Sequence, residues 1–245
     1  LALVSKPNFD TNSKWLEGNW VSIVESDKAL LLPRATQGLY PPGSIFKVIT
    51  SMGAIENGLD KKTYEDKGKV IIDGYEIKNS GEKVLGNIDI KKALAASSNV
   101  VYSEIGVELG GSKLKRLADR IGMNQDISFD IPVNKSIFPY DTMGKNDMAA
   151  VAIGQGEILF TPFHMAMITA GIANNGKIMK PILVKSVVSS EEKKIKDVRS
   201  NTMYKIMDVE TANVIKDMMH EAVENGTGVN AKIEGISVAG KTGTA

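Results

Sequence analysis

The chain has no cysteine among its 245 residues, which excludes disulfide bonds and cysteine metal ligands while fitting either side of a membrane. It has only two histidines, His164 and His220, each inside a helical pattern with no carboxylate cluster at ligand spacing, so both read as structural and no metal is assigned. An excess of one charge is also missing. Lys plus Arg is 30 against 29 for Asp plus Glu, a net charge of +1 that lends no support to a nucleic-acid or acidic-surface partner. No apolar run reaches the roughly 18 residues of a membrane span, and Leu1 opens no signal peptide, so the expectation is a soluble portion of a longer protein. Repeats and low-complexity tracts are absent. What is present is a hydrophobic content of 42%, enough for a substantial core in one large domain or two lobes.

The most informative string is Ser44-Ile45-Phe46-Lys47, entered through Pro41-Pro42-Gly43. Pro-Pro-Gly forces a tight approach, and Ile45, Phe46, Val48, Ile49, Met52 and Ile55 follow at helical spacing until Asn57-Gly58 offers a stop. Residues i and i+3 share a helix face, so the Lys47 amine can reach the Ser44 hydroxyl and take its proton. The spacing alone is cheap: Ser80/Lys83, Ser112/Lys115 and Ser190/Lys193 repeat it without that context and read as solvated surface groups. Two further strings each occur once, Ser97-Ser98-Asn99 as the only Ser-x-Asn and Lys241-Thr242-Gly243 as the only Lys-Thr-Gly.

This trio, in this order, is the signature of penicillin-binding proteins and class A β-lactamases. The flanking residues extend the likeness: 34–43 before Ser44, Ala95-Ala96 and Val100 around the triplet, Gly154-Gln155-Gly156 with Thr161-Pro162, Val238-Ala239-Gly240 before Lys241, and Val4-Ser5-Lys6-Pro7-Asn8-Phe9-Asp10. On these residues the chain resembles the transpeptidase domain of penicillin-binding proteins, essentially end to end, and is most similar to the monofunctional (class B) branch.

The resemblance implies an α/β (α+β) fold of the β-lactamase/transpeptidase type: an antiparallel sheet lobe with an inserted all-helical lobe, the sheet being incomplete in this chain. One domain, 1–245, would be truncated at both ends, with 1–43 and 226–245 in the α/β lobe, 44–225 in the mainly helical lobe, and the active site in the cleft between them. Read for texture, 1–40 is strand-like and irregular, with β-rich pieces at 1–4 and 21–24. Helices are expected over 44–56, 90–97, 99–109, 112–121, 146–153, 162–174 and 210–224. A hairpin is expected over 69–78 about Asp73-Gly74, a strand at 184–188 leading to a solvated charged turn at 191–196, and strand texture again at 235–240. Gly226-Thr227-Gly228 reads as a flexible turn before that last strand or as an anion-binding loop.

Roles for individual residues also come from the resemblance. It makes Ser44 the nucleophile that attacks the carbonyl between the last two D-alanines of a peptidoglycan stem peptide, giving an acyl-enzyme. Lys47 is then the base, which requires a neutral amine; burial and the nearby charge of Lys241 both lower a lysine pKa. Ser97 relays a proton to the leaving amine and doubles as a helix N-cap, and Asn99 orients Lys47 and the substrate amide. Lys241, Thr242 and Thr244 hold the terminal carboxylate, and Gly243 lets the substrate backbone approach. The oxyanion hole is formed by the backbone N–H groups of Ser44 and Thr244. No cofactor is implied. The implied partners are stem peptides ending in D-Ala-D-Ala, β-lactam antibiotics, the membrane through an N-terminal anchor outside this chain, and a glycosyltransferase of cell-wall elongation or division, with no nucleic acid. The implied location is the extracytoplasmic face of the bacterial cell membrane.

Three other readings stand against this one. A serine β-lactamase or β-lactam sensor shares the fold, but no Glu-x-x-x-Asn-like segment of the class A type is placed to activate a deacylating water. A non-catalytic scaffold of a cell-wall complex has no need to keep all three strings. Gly235-Ile236-Ser237-Val238-Ala239-Gly240-Lys241-Thr242 satisfies G-x-x-x-x-G-K-[ST], the phosphate loop of a nucleotide binder. That loop joins a strand to a helix, whereas the spacer here is itself strand-like and no Walker B strand accompanies it.

Overall fold

The computed structural model of the protein describes residues 3–244. Its first element corrects an expectation, because 21–24 is not a strand but the last turn of α1 (Ser13–Val24). The Asn12 side chain accepts from the Lys14 N–H at 3.1 Å, and Ile23 near the other end is driven into the core. A capped start and a buried anchor outweigh the β preference of Val-Ser-Ile-Val. Of the strand expected at 1–4, residues 3 and 4 carry none and 1–2 lie outside the described residues.

The short α2 (Arg34–Gln37) leads to Tyr40, which makes an antiparallel bridge with Phe160. A 3-10 turn, Gly43–Phe46, then feeds α3 (Lys47–Glu56), in which residues 47–54 are all buried. A helix apolar around its circumference belongs in a core, and the two hydroxyls it takes inside are satisfied. Thr50 Oγ1 donates to the Ala152 carbonyl at 2.8 Å, and Ser51 Oγ pairs with the Tyr102 hydroxyl at 2.6 Å. Around α3 pack α4 (Ile90–Ala96), α5 (Asn99–Leu109) and α6 (Gly111–Arg120). Outside them, α7 (Lys145–Ala152) lies along α5, and α8 (Pro162–Ala173) meets α9 (Val209–Glu224), which crosses α3 and α4. Side-chain caps fix four of these starts: Asp89, Ser98, Thr161 and Asp208 each accept an N–H of the first helical turn that has no partner within its helix. Phe46, Met52, Leu94, Tyr102, Ile105 and Leu114 are fully buried at the centre, each worth about 1.5–3 kcal/mol of transfer free energy.

The strands are short. β1 (Tyr64–Asp66), β2 (Lys69–Ile72), β3 (Tyr75–Lys78) and β4 (Gly86–Ile88) form two antiparallel pairs, β1 with β4 and β2 with β3, set against α5. The β2–β3 turn places Asp73 and Gly74 at φ of 48° and 86°, the double positive φ this dipeptide favours in hairpins. β5 (Lys177–Met179) pairs with β8 (Thr202–Lys205), and β6 (Ser186–Val188) with β7 (Lys194–Asp197). The tract 191–196, expected as a turn, therefore supplies most of β7, and all of it is exposed.

The fold is mixed helix and sheet, with small antiparallel sheets and a helical core. One more expectation is corrected: 235–240 forms no strand among the described residues. Its backbone turns to α9 instead, the Gly240 N–H donating to the Met219 carbonyl at 3.1 Å and the Val238 carbonyl accepting from His220 Nδ1 at 3.0 Å. No helix among the described residues is long and apolar enough to cross a membrane.

Candidate active site

Ser44 lies in the 3-10 turn at the N-terminal end of α3, where helix N–H groups lack partners and the dipole is positive. The turn is pinned from behind. Gly43, at φ 55°, donates its N–H to the Gly154 carbonyl at 2.9 Å, and a Cβ on Gly154 would overlap the Gly43 backbone. Lys47 follows one turn later with 0% of its surface exposed.

Ser97 is where an expectation changes. It is not the N-cap of α5 but the C-cap of α4, at φ 59° and ψ 39°, while Ser98 caps α5 by accepting from the Val101 N–H at 3.0 Å. The chain passes from one helix to the next in two residues, and a left-handed Ser97 makes that possible at a cost of about 1–2 kcal/mol. The result aims both the carbonyl and the hydroxyl of Ser97 at Lys47, and Asn99 joins them from the first position of α5.

Lys47 Nζ has four oxygens around it: Asn99 Oδ1 at 2.7 Å, the Ser97 carbonyl at 2.8 Å, Ser44 Oγ at 3.1 Å and Ser97 Oγ at 3.3 Å. The Asn99 amide donates Nδ2 to the Lys78 carbonyl at 2.7 Å, which fixes Oδ1 toward Lys47. Two of the four oxygens can only accept, and they occupy two N–H bonds of the amine. The third tetrahedral direction faces hydroxyls, which either accept or donate. A neutral Lys47 can therefore receive the Ser44 proton without breaking its other contacts.

Burial, and then the charge of Lys241, lower the Lys47 pKa from 10.5 to about 7. The Tyr102 ring lies beneath, its centroid 5.8 Å from Nζ, a contact that retains some stability for the ammonium form. Lys241 is itself lowered to about 8 by burial. Its Nζ donates to Ser97 Oγ at 2.9 Å and to the Thr242 carbonyl at 2.9 Å. Ser97 Oγ thus sits between the two amines, accepting from one and free to donate to the other.

The Lys-Thr-Gly segment runs close over the nucleophile turn, since a Cβ on Gly243 would lie 2.9 Å from Ile45 Cγ2. Thr242 and Thr244 are exposed. Gly226-Thr227-Gly228, read from the sequence as a turn or anion loop, is a clamp: the Thr227 N–H donates to the Ala95 carbonyl at 2.9 Å, and Thr227 Oγ1 pairs with Thr242 Oγ1 at 2.6 Å. It joins the end of α4 to the Lys-Thr-Gly segment.

The structure thus brings Ser44, Lys47, Ser97, Asn99 and Lys241 into one hydrogen-bonded group. Ser80, Ser112 and Ser190 of the other Ser-x-x-Lys matches are exposed. The two histidines take protein partners elsewhere. His164 is buried, with Ser136 Oγ at 2.7 Å and the Ile121 carbonyl at 2.8 Å, and His220 lies on the Val238 carbonyl. Sequence reasoning named Gly226-Thr227-Gly228 without its clamping role, and it missed the buried Asp66–Asn79 pair behind Ser98. Thr227 had a local signal in its flanking glycines, whereas the other two look like ordinary hairpin residues.

The family profile described as penicillin binding protein transpeptidase domain matches residues 1–245. Peptidoglycan D,D-transpeptidase PbpA of Mycolicibacterium smegmatis is 30% identical over 260 residues, covering 100% of this chain and 52% of that protein. The crystal structure of the D,D-transpeptidase domain of a peptidoglycan glycosyltransferase from Eggerthella lenta superposes with a TM-score of 0.89 at 29% identity, over 99% of this chain and 62% of that one. The imipenem acyl-enzyme complex of penicillin-binding protein A from M. tuberculosis gives 0.91 at 26% identity, over 100% of this chain and 59% of that one. The chain spans 37% to 52% of the length of three curated relatives it matches.

Proposed function

This chain belongs to the penicillin-binding protein transpeptidase family, and from that premise we propose that it is a serine-type D,D-transpeptidase that cross-links peptidoglycan stem peptides. One observation carries the reading: a dehydrated amine, Lys47, 3.1 Å from the Ser44 hydroxyl, with its other hydrogens held by obligate acceptors. A base whose pKa is about 7 is matched to general-base work near neutral pH.

Ser44 Oγ attacks the carbonyl of the penultimate D-alanine while its proton passes to Lys47. The backbone N–H groups of Ser44 and Thr244 receive the oxyanion, the first at a helix N-terminus. Collapse breaks the peptide bond, and the Lys47 proton reaches the departing amine through Ser97 Oγ, which lies between Lys47 and Lys241. Free D-alanine leaves and Ser44 carries the acyl group. Lys241, Thr242 and Thr244 hold the substrate carboxylate, with Gly243 admitting its backbone, as a charge-assisted contact allows. An amine of a second stem peptide then attacks the ester, gives its proton to Lys47, and restores Ser44. A β-lactam carbonyl enters the same first step and acylates Ser44.

This substrate places the protein on the extracytoplasmic side of the cell membrane, with an anchor and a glycosyltransferase partner as parts of the proposal. The test is amino-acid exchange. A peptide ending in D-Ala-D-Ala incubated with a labelled D-amino acid should lose its last residue and gain the label, with an acyl-enzyme on Ser44. Absence of exchange and of hydrolysis by the full-length protein, with intact substrate recovered, would overturn the reading.

A further inference from the structure

We propose that Asp66 is a positioning residue for this reaction, a buried carboxylate that sets the Ser97-Ser98-Asn99 triplet through Ser98 and Asn79. The inference rests on the functional reading above. Asp66 ends β1 with 0% of its surface exposed. Its Oδ1 accepts from the Gly68 N–H at 2.8 Å and from Asn79 Nδ2 at 2.8 Å, and its Oδ2 from Ser98 Oγ at 2.5 Å and Asn79 Nδ2 at 2.9 Å. No cation lies at ion-pair distance from it among the described residues. A buried carboxylate without a cation is tolerable only when its lone pairs are taken by donors, and here all the contacts come from donors.

What those donors do next leads to the active site. Asn79 spends Nδ2 on Asp66 and on the Lys83 carbonyl at 2.9 Å, so its Oδ1 faces the opening N–H groups of α5, those of Asn99 at 2.8 Å and Val100 at 3.2 Å. The residue before it, Lys78, offers its carbonyl to Asn99 Nδ2, and this leaves Asn99 Oδ1 for Lys47. Ser98 meanwhile donates to Asp66 and accepts from the Val101 N–H. The middle residue of the triplet is therefore fastened backwards, while Ser97 and Asn99 on either side face Lys47. One carboxylate fixes the amide that starts α5, the rotamer of Asn99 and the joint that holds Ser97 in its left-handed conformation. Hairpin stability alone does not call for this arrangement, since apolar side chains of the same volume serve a core at least as well as a buried charge.

Asp66→Asn keeps the shape but turns one acceptor into a donor facing Asn79 Nδ2 or Ser98. Acylation of the full-length protein by a fluorescent penicillin should slow about 10- to 100-fold, the scale for losing an outer hydrogen bond that orients a reacting group, with circular dichroism unchanged. Structural softening alone would slow acylation too, so the deciding readout is a double-mutant cycle. In an Asn99→Ala background, where the Asn99 arm of the path to Lys47 is already cut and only the Ser97 arm is left, the loss caused by Asp66→Asn should be at least about threefold smaller than in the wild-type background. Asp66→Asn acylating within about twofold of wild type, or the same proportional loss in both backgrounds, would overturn the proposal. If Asp66→Asn does not fold, Asn79→Ala breaks the same link and is held to the same two outcomes. Wild-type protein that is not acylated at all would instead mark failure of the functional reading itself.

Discussion

Lys47 makes a prediction about stability that is independent of catalysis. Burial and the neighbouring charge take its pKa from 10.5 in the unfolded chain to about 7 in the fold, and at roughly 1.4 kcal/mol per pH unit the difference is about 5 kcal/mol. A base with a depressed folded value binds fewer protons when folded than when unfolded. Its contribution to stability is complete above 10.5 and falls away as pH drops through that value toward about 7. Between pH 7 and pH 9 this one side chain should raise the unfolding free energy by about 2 kcal/mol. Lys241, lowered to about 8, adds a rise of the same sign, and Tyr64, raised to about 12, titrates outside the window. The comparison is therefore between wild type and Lys47→Met. Urea unfolding at pH 7, 8 and 9 should show the wild-type midpoint climbing more steeply than that of the variant, the gap widening by about 2 kcal/mol once multiplied by the slope m. Parallel curves for the two proteins would mean that Lys47 is charged in the fold, and the argument for a neutral base would fail with it.

Two substitutions probe the site directly. Lys47→Arg keeps a cation but not one that releases its proton near neutral pH, so penicillin acylation should fall by a factor on the order of a hundred or more; near-normal acylation by the variant would assign the base elsewhere. Lys241→Ala should slow acylation by a factor on the order of ten to a thousand. It should also move the acid limb of the pH–rate profile above pH 7, because the repulsion that helps depress Lys47 is gone. Calorimetry of the wild type with Mg·ATP should show no heat, and saturable ATP binding lost in Lys241→Ala would favour the phosphate-loop reading of the same segment.

The parts of the fold legible in the sequence are those specified locally. Helix α5 runs over Asn99–Leu109 as expected because Ser98 caps it and Gly110 ends it, and α8 starts where Thr161-Pro162 announces it. The β2–β3 hairpin follows from Asp73-Gly74. What escaped depends on distant contacts. The β-branched end of α1 is helical because Ile23 has a core seat to fill, and 235–240 is not a strand because α9 claims its backbone groups. The site was legible as three strings, since Ser44, Lys47, Ser97, Asn99 and Lys241 are types whose chemistry can be named before their geometry is known. The left-handed turn at Ser97 and the Thr227 clamp were not. Nothing in a hairpin pattern marks Asp66 or Asn79 as buried, because their burial is created by the arrival of α5.

The central claim is that Ser44, activated by Lys47, is the nucleophile. Its most direct test is intact-mass measurement of the full-length protein after exposure to a penicillin, followed by peptide mapping. The account predicts a gain of one penicilloyl group carried by the peptide containing Ser44 and absent from a folded Ser44→Ala variant. An adduct that persists in Ser44→Ala, or that maps to Ser80, Ser112 or Ser190, would contradict it.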